Sequence, residues 1–143
     1  MRLSSLILGV IAAIAVIAIG LSVLGVSFHS STSAQGAALY DPAKEITVKG
    51  VVEEVQEFDC PVSEGELAGH VMLKTSDGVL QVHLAPTRIL QGQKLSFAPG
   101  EPLEVVGARI RLAGKNGIIA REITRGNESI ILRDPKGNLL LVQ

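Results

Sequence analysis

Residues 69–86, GHVMLKTSDGVLQVHLAP, constrain the fold more than any other stretch of the chain. Two alternating runs flank Asp77-Gly78, a dipeptide suited to the positive backbone angles of a tight hairpin turn. A two-residue loop there would set Thr75 opposite Leu80, Leu73 opposite Val82 and Met72 opposite His83. Side chains alternate across a strand, so Val71, Leu73, Leu80, Val82 and Leu84 share one face. His70, Met72, Lys74, Gln81 and His83 share the other, which is expected to face outward. A one-residue slip would turn that polar set into the core, so the pattern and the turn support the same pairing.

The rest of the chain supplies further short strands. Residues 46–58, ITVKGVVEEVQEF, alternate inward through Ile46, Val48, Gly50 and Val52, lose the period at Glu53-Glu54 and regain it at Val55. A glycine and a period slip in one long strand mark a bulge or sharp bend. The first strand of a small five-stranded barrel needs such a bend to curl through both halves of its sheet. Pro86 cannot donate to a ladder and should end the second hairpin strand, and residues 87–93 suit a short helical turn. Residues 103–112 make a fourth strand whose alternation shifts at Gly107. Residues 118–125 make a fifth, in which Ile118 and Ala120 argue for one face and Ile119 and Ile123 for the other. Residues 129–133 and 139–142 form a terminal hairpin around Asp134-Pro135-Lys136-Gly137. The expected fold is all-β: a small five-stranded OB-like barrel with an extra C-terminal hairpin, over residues 45–143. An open β-sandwich is the alternative.

Residues 6–28 carry no charge. As a helix this run would span about 34 Å, enough to cross a bilayer. It exceeds the roughly 7–15 apolar residues of a cleaved signal peptide, so residues 1–29 read as one transmembrane helix, an anchor or uncleaved signal. Arg2 is the only basic residue before the run and keeps the N-terminus cytoplasmic. Residues 30–44 read as a flexible linker. The domain is therefore expected on the periplasmic or extracellular side of the cytoplasmic membrane. Removing Arg2 from the formal charge of −1 leaves −2 for the remainder, which argues against a nucleic-acid partner. The central hairpin also offers Lys74 but no aromatic on which a base could stack.

The pattern resembles a known group at Gly50-Val51-Val52-Glu53, at Val82-His83-Leu84-Ala85-Pro86, and at Gly100 followed by Leu103-Glu104-Val105. Ala120-Arg121-Glu122 and Leu132-Arg133-Asp134 with Gly137 extend it. Across about residues 45–140 the chain is similar to the domain of the magnetosome proteins MamS and MamX, small exported bacterial proteins of OB-fold type. The resemblance implies the fold. The haem-binding CxxCH motif of MamX is absent, so no haem role is implied.

The chemistry-bearing candidates are few. His70, Met72 and His83 would lie together on the outward hairpin face. Imidazole and thioether donors suit Cu(I), which makes these three the candidate metal ligands; the bland alternative is a solvated strand face. No G-x-S-x-G, HExxH or paired acidic motif is present, so no enzyme is expected. Cys60 has no intramolecular partner and reads as an inert loop thiol or an intermolecular one. Arg121-Glu122 and Arg133-Asp134 read as solvated charge pairs. The leading expectation is a membrane-tethered binding or assembly module that pairs its barrel edges or terminal hairpin with an envelope protein. The alternative is a Cu(I) or other metal-binding module.

Overall fold

The computed structural model describes residues 34–140. Its first element is a short helix, α1 (Ala34–Leu39), followed by a 3-10 turn (Pro42–Lys44). Six strands follow: β1 (Glu45–Asp59), β2 (Leu67–Thr75), β3 (Gly78–Pro86), β4 (Pro102–Leu112), β5 (Lys115–Arg125) and β6 (Glu128–Ile131). A second 3-10 turn (Pro61–Ser63) joins β1 to β2, and helix α2 (Thr87–Gly92) joins β3 to β4. β1 pairs with both β2 and β4, β2 with β3, and β4 with β5, all antiparallel. A parallel pairing of β3 with β5 closes the ring β1-β2-β3-β5-β4, and β6 adds to β5 outside it. This is the expected OB-like barrel with one extra strand.

The anchor expected over residues 1–29 lies outside the described residues. Among the described residues no helix is long and apolar enough to cross a membrane. The stretch expected as linker contains α1 and buried Tyr40. Two further expectations are corrected. The hairpin loop sits at Ser76-Asp77, so Thr75 faces Gly78, Met72 faces Gln81 and His70 faces His83. Gly78, with φ of +117°, is used as the first residue of β3, and this moves the register by two without changing which side chains share a face. The terminal hairpin keeps its expected turn, with Arg133 bridging Leu139 and Leu140 N–H donating to Leu132 O at 2.9 Å. Glu128–Ile131, however, pair with β5 as β6, and residues 141–142 lie outside the described residues.

Bulges set which side chains turn inward. Val52 faces Leu73 and Glu54 faces Met72, so Glu53 is the extra residue in β1, at the expected place. In the β4–β5 pair the extra residue is Arg121, opposite the step from Val106 to Gly107. It resets the period of β5, which is why both Ala120 and Ile123 enter the barrel core with Ile118. Gly107 permits this close approach: a Cβ there would collide with the Ile119 carbonyl oxygen.

The barrel interior is filled by Val52, Val71, Leu73, Val82, Leu84, Val105, Ile118 and Leu132 among others, with Leu90 of α2 closing one end. A second, smaller core lies on the outer face of the sheet, where Ala108 and Ile119 pack with Tyr40, Cys60 and Val62, flanked by Leu39, Phe58, Ile110 and Leu112. Alternation places Ile119 opposite in direction to Ile118, so α1 and the Pro61–Ser63 turn cover a patch that would otherwise be solvated. That cover makes the site.

Candidate metal centre

His70 and His83 were expected on an exposed face. They are on the outer face of the hairpin, but beneath the second core: His70 is 0% and His83 3% exposed. Directly opposed across β2 and β3, their rings meet edge to face with centroids 4.6 Å apart. Phe58, from the end of β1, stacks on His70 at 3.7 Å and 6° between planes, which fixes the imidazole plane.

Cys60 enters the same space from the loop after β1. Its N–H donates to Ser63 Oγ at 3.3 Å, and Ser63 Oγ donates to Glu66 O at 2.6 Å. The left-handed residues Glu64 and Gly65, with φ of 56° and 82°, then return the chain to β2. The turn therefore holds the thiol inward, where Sγ lies 3.6 Å from His83 Nδ1. The thiol expected to be inert in a loop belongs to the cluster.

The hydrogen-bond network assigns the protons. His70 Nδ1 donates to the Ala68 carbonyl at 2.9 Å, which leaves Nε2 of the neutral ring as an acceptor. His83 Nδ1 donates to that Nε2 at 2.9 Å. Nε2 of His83 is then an unprotonated nitrogen facing Gly117, without a hydrogen-bond partner among the described residues. Burial favours these neutral rings. It pushes His70 down to about 4, and burial with the nearby His70 and Arg133 pushes His83 down to about 3.

One donor atom from each of Cys60, His70 and His83 lies within 4.8 Å of the others, and the three can hold a metal ion. Tetrahedral bonds of about 2.3 Å to sulfur and 2.05 Å to nitrogen put the two donors about 3.5 Å apart. The Cys60–His83 spacing of 3.6 Å fits that geometry without movement. The two nitrogens, at 2.9 Å, share a proton that an ion would replace by opening them a few tenths of an ångström. The Ala68 carbonyl supplies the outer hydrogen bond by which metal-binding histidines are oriented.

Met72, the third ligand expected from the sequence, is half-buried. With Cys60, His83, Gln56 and Gln81 it lines a cavity of about 400 Å³ that opens beside the cluster. Arg133, expected to be solvated, is 4% exposed. Its Nη1 donates to Leu84 O at 2.6 Å and to Ala120 O, and its side chain lines a cavity of about 10 Å³ with Cys60 and His83. The other pair is also partly withdrawn from solvent: Arg121 makes two 2.9 Å bonds to Glu45, which also accepts from Tyr40 at 2.6 Å. Sequence reasoning missed Cys60 as a ligand because the second core joins residues 23 positions apart. The available signal was the apolar Val62 beside a cysteine in a short loop.

Comparison with known proteins supports the family and adds little on chemistry. The model of the MamS/MamX magnetosome protein family matches residues 44–130. No curated protein matches the chain. Among solved structures, a chain of the S. pombe Stn1–Ten1 complex is similar at 19% identity and a TM-score of 0.41. That likeness covers 64% of this chain and 60% of the other, so this chain spans less than two thirds of its length.

Proposed function

The chain belongs to the MamS/MamX magnetosome protein family, and within that fold we propose that it is a non-catalytic metal-binding module, tethered to the cytoplasmic membrane and facing outward. One observation carries the metal reading: Cys60, His70 and His83, all buried, converge to within 4.8 Å of one another. The tether rests on the uncharged run at residues 6–28.

The proton arrangement favours binding over catalysis. A cysteine nucleophile needs a base with a free lone pair directed at it. His83 Nδ1 carries the proton donated to His70, so the nitrogen nearest Cys60 has no lone pair to take a thiol proton. With the His83 proton on Nε2, on the Gly117 side of the ring, Cys60 Sγ, His70 Nε2 and His83 Nδ1 would be the three donors to an ion.

The test is metal titration of the full-length chain, purified in detergent from the membrane fraction, with Cu(I) under reducing conditions and with Zn(II). One equivalent of at least one ion should bind, and Cys60→Ser or His83→Ala should abolish it. Met72→Ala should keep the stoichiometry and weaken affinity by no more than about tenfold, as befits a side chain outside the ligand set. A chain recovered wholly in the soluble fraction would remove the tether. Absence of binding to either ion would remove the metal reading and leave the assembly reading. The latter is supported by β6, which among the described residues has β5 as its one strand neighbour and carries Ile131 at 52% exposure.

A further inference from the structure

Resting on the metal reading of the same three side chains, we propose that buried Arg133 makes the site selective for a monovalent thiophilic ion, Cu(I), over divalent ions. Arg133 is 4% exposed and lines one small cavity with Cys60 and His83. Its guanidinium is tied to the Leu84 and Ala120 carbonyls, two neutral acceptors. None of the carboxylates among the described residues forms an ion pair with it. The cluster therefore has one buried positive charge, with two neutral imidazoles beside it.

Charge accounting separates the candidate ions. Held by the same three side chains, Cu(I) would bring one positive charge into the cluster. Zn(II) would bring one more than Cu(I), next to a guanidinium that cannot lose its own. Charges withdrawn from water are costly unless paired, and this one has no carboxylate partner inside the cluster. Asp59 and Lys115 do border the outer cavity, but both are exposed and of opposite sign, so solvent screens them and their effects offset. Thiolate with imidazole already suits Cu(I); Arg133 adds a discrimination by charge that ligand softness alone does not provide. In a partly polar interior, repulsion between like charges lining one small cavity corresponds to roughly tenfold or more in affinity.

The experiment compares full-length wild type, Arg133→Lys and Arg133→Gln by competition between Cu(I), kept reduced, and Zn(II). Wild type should retain Cu(I) against a large excess of Zn(II). Arg133→Gln keeps donors for the two carbonyls but loses the charge, and should shift the preference toward Zn(II) by roughly tenfold, while Arg133→Lys should keep the wild-type ratio. Equal uptake of both ions by wild type, or an unchanged ratio in folded Arg133→Gln, would each overturn the selectivity while leaving the site intact. Uptake of neither ion would instead sink the metal reading on which it rests.

Discussion

At the scale of residues, the molecule holds two imidazoles neutral by burial and by a defined chain of donors. This has a consequence for stability. In the unfolded chain His70 and His83 should titrate near 6.5, whereas in the folded chain they are pushed down to about 4 and about 3. Between those values the unfolded state binds protons that the folded state refuses. Their contribution to stability is therefore complete above about pH 6.5 and is lost as pH falls toward 4 for His70 and toward 3 for His83. With both sites engaged, the unfolding free energy of the metal-free protein should fall by about 2–3 kcal/mol per pH unit near pH 5. His70→Phe, which preserves an aromatic ring against Phe58, should roughly halve that slope. Urea unfolding at pH 7, 6 and 5 measures it, and a flat profile across that range would mean that the rings protonate within the folded state. The pair could be foreseen as a pair, because alternation along β2 and β3 puts His70 and His83 on one face. Its burial could not, because the cover comes from residues 40, 60 and 62, outside the hairpin.

At the scale of elements, the strands were legible from their periods and the closures from their glycines. The slip at Glu53-Glu54 announced the β1 bulge, and Pro86 marked the end of β3. The β5 pattern looked contradictory because Ala120 and Ile123 both point inward across an extra residue, Arg121, whose presence depends on the partner strand. Hydrophobic alternation cannot show a bulge whose cause is a neighbouring glycine 14 positions away in the chain. Gly107 is that cause. Its Cβ would meet the Ile119 carbonyl and approach Ala120 Cα at 3.0 Å, which are backbone atoms that cannot rotate aside. Gly107→Ala should therefore cost about 1–3 kcal/mol, seen as a lower urea midpoint with an unchanged slope. A stability equal to wild type would show that the two strands separate freely there, and that the glycine does not fix the bulge.

At the scale of the whole described domain, a closed barrel carries a thin second core on its outside, and the candidate site lies between the two. The barrel core was readable because each strand contributes its own apolar face. The outer core was not, because it combines residues from α1, two loops and three strands into one patch. This division has a dynamic consequence. Among the described residues the cover is held by Tyr40, which packs on Gly137 and donates to Glu45, and by the short α1 against the Pro61–Ser63 turn. Segments with little buried apolar area open at lower free energy than the core they cover. Cys60 should therefore react with a thiol reagent under native conditions through local opening, at a rate insensitive to low urea. Tyr40→Ala removes the largest side chain of the cover and should speed that labelling by more than tenfold relative to any change in global stability, with the barrel still folded. Such a result would give the site a loading route that needs no unfolding of the barrel. Labelling that follows global unfolding in both proteins would instead make the two cores one cooperative unit, and ions would have to enter through the cavity beside Met72.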